Sequence, residues 1–584
     1  MMVLAKILPD WLVHLNPKLL SYTTINFLIL TVFYAARSRG ALVFFIAVFL
    51  LYLFVLGKDR VAVALYMLIM SALAYPVAEN FLNCMVEKKI SFAILWVIAG
   101  LILALAVQIL YILYGKYLDK LRIAKKGNRK YFFVIITLTV IVSSLILIQY
   151  GYAGRFTSFS YLRNALERIY FVNDAIKMIK QRPLLGWGGG GWEEAYHSVQ
   201  EYLYISTQVH SYYVQVVVET GILGVLNLLG ILGCFLMLVF NLYLDNKEKP
   251  KLHAIVTLVA MVLFITGHAI MDFNLSLSAL TILLWTLFGL LVGMFRISSI
   301  SFAETQVKNT LLNKGYLYIS MLIAGIIFVA DIYLLLASNN YQLADDSFSQ
   351  KNTTTALTYM EHASQQNPFS PDYKLTLSQI YRNNGQKEKA LTEVKKVLEL
   401  SKYNPLMCVE ASKVYFSLGD TKTAVELAEK AVQLGPYIIN GYDNLLNIYF
   451  KIAYNGLVSE NKDLAMQYFN KINSVSSNIQ TRVNILTDYQ CRMWRDGPML
   501  ALTTNMSYKT GAARYFLGQY KEAQENLNFA ATDEKLKANV PLWRALVAQK
   551  LGDPVKAQEF LLVGEKNNEK IREQFAGISN YKIK

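Results

Sequence analysis

Residues 404–436 read NPLMCVEASKVYFSLGDTKTAVELAEKAVQLGP, and this stretch sets the period of everything after residue 337. Its Tyr415, Gly419 and Ala424 stand 34 positions after Tyr381, Gly385 and Ala390, with Ala356 one further period upstream. Gly518 and Ala523 recur at the same interval as Gly552 and Ala557. A repeat of that length marks an array in which each unit is one pair of helices. The small residues, with Ala428 and Ala431, let the paired helices approach; the glycine closes the turn between them. Pro436 ends the best copy. Residues 437–510 keep a helix-forming composition but lose the register, and read as degenerate repeats.

This pattern resembles the tetratricopeptide repeat, which implies an α-solenoid over residues 338–584. Such a domain serves either as a structural cap or as a concave surface for a protein partner, and solenoids commonly use that surface.

Upstream, the chain changes character. At 584 residues it is too long for one core. Hydrophobic residues make up 54% and charged residues 17%, against about 25% in ordinary soluble proteins. Nine apolar stretches, at 20–36, 41–57, 61–78, 90–114, 131–150, 212–243, 253–271, 275–295 and 315–337, approach the length needed to cross a bilayer. The expected fold is therefore all-α: a polytopic bundle of about nine transmembrane helices over 1–337, holding a large polar loop at 151–211, then the solenoid.

The formal net charge of +16 does not point to nucleic acid, because the cations cluster between apolar runs and no nucleic-acid-binding motif is present. One alternate set of loops holds Lys58 and Arg60, then Lys116 to Lys130, Lys247 to Lys251, and Arg296, Lys308 and Lys314. The opposite short loops hold Arg37, Arg39, Lys88 and Lys89. The basic set is expected on the cytoplasmic side. With nine spans, the N-terminus is then inside, while the 151–211 loop and the solenoid lie outside. The four cysteines form no CxxC pair, so neither a disulfide framework nor a zinc site is expected. No cleavable signal peptide is visible in the first 18 residues.

The segment 151–224 is too polar to span and too long for a simple connector. Ile169, Val172, Ile176 and Ile179 fall on one helical face, and Pro183 with the following glycines stops that helix. The cluster Gly186-Trp187-Gly188-Gly189-Gly190-Gly191-Trp192 lacks the Lys-Ser/Thr of a nucleotide loop and reads as a turn that lets backbone approach a substrate. Trp187 and Trp192 suit either stacking on sugar faces or anchoring at the interface.

The run DAIKMIKQRPLLGWGGGGW (174–192), followed by VHSYYVQVVVETGILG (209–224), resembles the signature loop of the O-antigen ligase and polymerase superfamily. A proline-glycine turn precedes a His-Ser pair and a Glu-x-Gly that enters a span. The stretch ARSRGALV (36–43) resembles the Ser-Arg-Gly-Ala mouth of a family helix. The resemblance implies a glycosyltransferase in the cytoplasmic membrane of a bacterium. It would move a glycan from an undecaprenyl-diphosphate carrier to an acceptor hydroxyl on a glycan, lipid or protein outside the membrane, with no cofactor and no metal. Family members carry several more spans ahead of the Ser-Arg-Gly-Ala stretch, so the chain is expected to be a shortened version or to begin late.

By position in that signature, His210 is the expected base, since imidazole titrates near neutral pH. Arg168 and Arg39 are expected to hold the diphosphate, which the arginine fork matches. Arg155 and Arg163 compete with Arg168 for that role. Glu219 is expected about two turns into a span, where it would orient His210 or an arginine, or sit in the interface. His268 and Asp272 lie near another outer helix end and are more distant candidates. The bland readings are a structural histidine at the interface and arginines that snorkel to headgroups. A non-catalytic scaffold for polysaccharide assembly is the alternative function. A transporter ranks third, because charged residues crowd the outer edge rather than the span centres.

Overall fold

A computed structural model describes residues 17–56, 60–120, 159–246, 252–300 and 310–579. Among the described residues every regular element is a helix. The chain divides into two compact units that interleave along the sequence: one comprises Met1–Val172, Val209–Val217 and Ile222–Thr305, the other Asn173–Gln208, Val218–Gly221 and Gln306–Lys584.

In the first unit, α1 (Pro17–Ala35), α2 (Arg39–Val55), α3 (Arg60–Val86) and α4 (Ile90–Lys120) follow one another. Phe27, Leu30, Met70, Ala74, Val77 and Ala104 form the core between α1, α3 and α4. Gly100 permits that approach, because an added Cβ would lie 2.5 Å from Val77 and 2.7 Å from Phe27. Outward faces are also apolar: Val32, Phe54 and Ile102 are exposed, as expected of helices hydrophobic all round. Next along the chain come α5 (Phe159–Gln181), divided between the units, the short α6 (Gly191–Ala195) of the second unit, α7 (Tyr212–Asn246), α8 (Leu252–His268) and α9 (Ser278–Ile300). The C-terminal part of α7 joins α8 and α9 around Leu242, Val262, Ile265 and Leu291. α8 also packs on α2, where Tyr52 meets Thr257 at 3.2 Å.

Five described helices are long and apolar enough to cross a membrane, and Leu19–Ala35, Arg39–Val55 and Leu252–His268 are shorter apolar helices. Together they account for eight of the nine expected stretches. The ninth, 131–150, lies outside the described residues, as does Arg155.

Two expectations are modified. The stretch 212–243 is not one continuous helix: Gly221, at φ 64 and ψ −160, breaks α7 after two turns. The change of composition at residue 338 is not a break in structure. α10 (Thr310–Ser349) runs straight through it, and Ala344 is buried with Met360 and Ala363 of the first repeat helix.

The solenoid then runs in helix pairs. α11 (Thr353–Gln366) pairs with the end of α10, then α12 (Pro371–Asn383) with α13 (Lys387–Leu400), and α14 (Pro405–Ser417) with α15 (Thr421–Leu434). α16 (Ile439–Val458) pairs with α17 (Lys462–Ile485), α19 (Thr504–Phe516) with α20 (Tyr520–Ala530), and α21 (Val540–Lys550) with α22 (Pro554–Glu565). The short α18 (Asp488–Met493) and a non-helical stretch to residue 503 separate α17 from α19. Gly385, Gly419, Gly518 and Gly552 each turn their pair at positive φ, the region open to a residue without Cβ. Ala390, Ala424 and Ala428 are fully buried where helices meet. The register lapses at 437–510 because α16 and α17 have 20 and 24 residues where α14 and α15 have 13 and 14.

Candidate active site

Within the first unit, the turn between α8 and α9 organises the site. Asp272 sits in it, and its Oδ1 accepts the Phe273 N–H at 2.8 Å. Asn274 ties the turn back to the Ile265 carbonyl at 3.1 Å. The first turn of α7 docks onto the same backbone, since the Tyr212 N–H points at the carbonyls of Ala269 (3.0 Å) and Asp272 (3.1 Å). That docking brings His210 beside Asp272.

His210 has φ +59, a left-handed conformation that costs a non-glycine residue about 1 kcal/mol or more. Its ring is stacked on Phe171 at 5.5 Å and meets the edge of Phe273 at 5.0 Å. Nδ1 lies 3.8 Å from Oδ1 of Asp272, an ion-pair distance longer than a hydrogen bond. The other oxygen, Oδ2, lies 3.8 Å from Nε2 of His268. One carboxylate thus stands between two imidazoles. Burial alone would raise the Asp272 carboxyl, but the His210 ring, the Phe273 N–H and the Arg168 and His268 charges hold it below the usual carboxylate range. It is an anion wherever a neutral histidine could act as a base.

Arg168 reaches the same turn from α5: its Nη1 donates to the Met271 carbonyl at 2.6 Å. Five N–H donors on the guanidinium exceed what one carbonyl accepts. Arg39 begins α2, whose N-cap Ser38 accepts the Ala41 N–H. The next residue, Gly40, packs on the His268 ring, 3.2 Å from where its Cβ would be, so the first turn of α2 borders the pair of histidines. Arg37 is engaged by Glu79 at 2.6 Å. Arg163 is half-buried on α5, with its Nε enclosed.

The other expected residues belong to the second unit. Glu219 accepts the Gly190 N–H at 3.1 Å, and its carbonyl accepts from Gly188 at 2.9 Å. The break in α7 exists for this contact. A Cβ on Gly221 would lie 2.4 Å from the Leu184 carbonyl oxygen, and one on Gly186 would lie 2.5 Å from the Glu219 backbone. The proline-glycine turn and the Glu-x-Gly are therefore two halves of one close backbone contact. Trp187 donates to the Met178 carbonyl at 3.0 Å and carries the Arg182 guanidinium on its face. Trp192 is fully buried and stacked on Tyr196, so its ring is part of a core rather than a platform for sugar.

The structure brings His210 and Arg168 to the same turn as Asp272 and His268, which in the sequence were only more distant candidates. The signal available was their spacing of four across a helix end, which puts both on one face.

Residues 24–229 match the family model described as O-antigen ligase. That match covers about a third of the chain. The match includes Arg39, Arg168, His210 and Glu219 and stops short of His268 and Asp272. Residues 371–404 match the tetratricopeptide repeat. Among solved structures, the chain is similar to PilF of Pseudomonas aeruginosa, at 16% identity and TM-score 0.31, covering 42% of this chain and 98% of that one. It is also similar to PilW, a type IV pilus biogenesis factor, at 14% identity and TM-score 0.30, covering 41% and 97%. No curated protein matches this chain.

Proposed function

We propose that this chain is a membrane glycosyltransferase that moves a glycan from an undecaprenyl-diphosphate carrier to an acceptor hydroxyl on the outer face of the cytoplasmic membrane. The observation that carries this reading is the Asp272 carboxylate set between His210 and His268, with Arg168 bound to the same turn, inside and beside the ligase match. His210 Nε2 takes the proton of the acceptor hydroxyl, and Asp272 stabilises the imidazolium that forms. The hydroxyl oxygen bonds to the anomeric carbon as the bond from that carbon to the carrier phosphate breaks. Undecaprenyl diphosphate leaves with the added negative charge, which Arg168 and Arg39 neutralise. Arg163 on α5 and Arg155, ahead of it in the sequence, are the competing candidates for the role of Arg168. The acceptor is a glycan, a lipid or a protein. The orientation follows from the clustering of cations in alternate loops, which puts this site and the solenoid outside.

The repeat match favours a second role as an assembly scaffold. The test is glycan transfer from the polyprenyl-diphosphate donor in membranes, comparing wild type with His210→Ala after confirming equal insertion. Transfer by wild type alone supports the base. Equal transfer by both removes His210 from that role, and transfer by neither leaves the scaffold.

A further inference from the structure

The second unit contains a contact that the transfer reaction does not require: the repeat array grips residues 173–208 of its own chain at two places. At the first, Glu194 on α6 accepts the backbone N–H groups of Tyr403 (2.8 Å) and Asn404 (3.2 Å) and the Ser401 hydroxyl (2.8 Å). Asn404 is the N-cap of α14, so a carboxylate stands where the helix dipole favours negative charge. Arg182 reinforces the grip, donating to the Tyr403 hydroxyl at 2.6 Å while lying over the Trp187 ring.

At the second place, the segment is extended. The Ile205 N–H donates to Asp496 Oδ2 at 3.1 Å, the Arg495 N–H to the Leu203 carbonyl at 3.4 Å, and Gln490 Nε2 to Glu201 at 3.3 Å. Residues 490–496 belong to the stretch between α17 and α19 that falls outside the repeat pattern. The departure from register has a use: it supplies the Arg495 N–H and the Asp496 and Gln490 side chains that hold residues 201–205. Between the grips, Lys177 binds Asp174 (2.7 Å), Glu201 (2.9 Å) and the Val199 carbonyl (3.1 Å), closing the segment on itself.

We propose that the ligand of this repeat array is the 173–208 segment of its own chain, with Glu194 as the positioning residue. The segment begins five residues after Arg168 and ends two before His210. Holding it restrains, through the covalent chain, the groups expected to bind diphosphate and to take the proton. This catalytic consequence rests on the transferase reading; the grip itself does not.

The test uses the full chain in lipid nanodiscs, with Cys84, Cys234, Cys408 and Cys491 replaced by alanine. Amide exchange is read at 199–206 and 401–406 alongside transfer. Glu194→Ala should speed exchange in both stretches about tenfold and lower transfer about tenfold, the loss expected for charge-assisted hydrogen bonds to backbone. Glu194→Gln, which keeps the shape and removes the charge, should fall between. A Glu194→Cys, Ser401→Cys pair bridged by a short bis-maleimide should regain protection and transfer to within about twofold, because the bridge replaces the grip. Unchanged exchange in Glu194→Ala overturns the grip, and faster exchange with unchanged transfer overturns its catalytic consequence. Wild type that protects both stretches but transfers no glycan sinks the transferase reading and leaves the grip standing.

Discussion

Nδ1 of His210 and Oδ1 of Asp272 are 3.8 Å apart, and nothing in the local sequence of either residue announces the other. The pairing arises because the first N–H of α7 is satisfied by carbonyls of the α8–α9 turn. For His210 as the proposed base, the Asp272 carboxylate stands beside Nδ1, where a partner that orients the ring is needed. Asp272→Asn keeps the size and removes the charge. Transfer should fall about 10²-fold or more, with donor KM little changed, because the carboxylate acts on the charge that develops at His210. An equal KM rise and an intact kcat would assign Asp272 to substrate binding instead.

His210 itself can be separated from its strained backbone. Asparagine tolerates positive φ better than most side chains. His210→Asn should therefore retain the thermal unfolding midpoint of wild type while losing transfer by about 10²- to 10⁴-fold. A variant that unfolds early would mean that the ring serves chiefly as packing between Phe171 and Phe273.

The sequence made the two architectures legible but not the way they interleave. Apolar length alone identified the spans, and the 34-residue spacing alone identified the solenoid, because both signals are local or periodic. Gly221 shows what was hidden. Within an apolar run its torsion is invisible, and only the opposing turn at Leu184 to Gly186 explains why it breaks the helix. Asp272 was similarly obscured, since its role depends on a contact spanning 62 positions of sequence with His210. Trp192 suited either a sugar platform or an interface anchor; its burial follows from Tyr196 four residues on, one turn away and stacked on it.

The closeness of Gly186 and Gly221 makes a third prediction. Gly221→Ala forces a Cβ into a positive-φ, extended-ψ region that is essentially restricted to glycine, at a cost of about 1–3 kcal/mol, before the clash 2.4 Å from the Leu184 carbonyl is counted. The variant should lower the unfolding midpoint and lose transfer together. Gly230→Ala lies in helical backbone with nothing near its Cβ, and should be neutral or stabilising by up to about 1 kcal/mol.

Asp174 gives a pH signature for the second unit. Burial raises its carboxyl above the ordinary value of 3.8, against the opposing pull of Lys177 and the Tyr204 hydroxyl. A raised value means the folded chain holds the proton more tightly than the unfolded chain. This group therefore favours folding most at acidic pH, and the contribution is lost as pH rises through the raised value. Asp174→Asn cannot titrate. The stability of wild type relative to this variant should decline as pH is taken from below 3.8 upward. Protection of amides 199–206 is the measurement, and a difference that grows with pH would reverse the assigned sign.

Trp192 separates a binding platform from a core residue. Its ring is fully buried against Tyr196, so sugar cannot reach its faces without unfolding α6. Trp192→Phe keeps an aromatic ring on Tyr196 and should leave transfer and acceptor KM within about twofold of wild type, as shape-conserving core changes do. Trp192→Ala opens a cavity and should cost about 3–5 kcal/mol of local stability. That loss should appear first as faster exchange through 191–206, with transfer falling through kcat as the segment between Arg168 and His210 loosens. If Trp192→Phe instead raised acceptor KM tenfold or more while exchange stayed protected, the ring would have to be a sugar platform reached through an opened form of the segment, and the packing role assigned to it would fail.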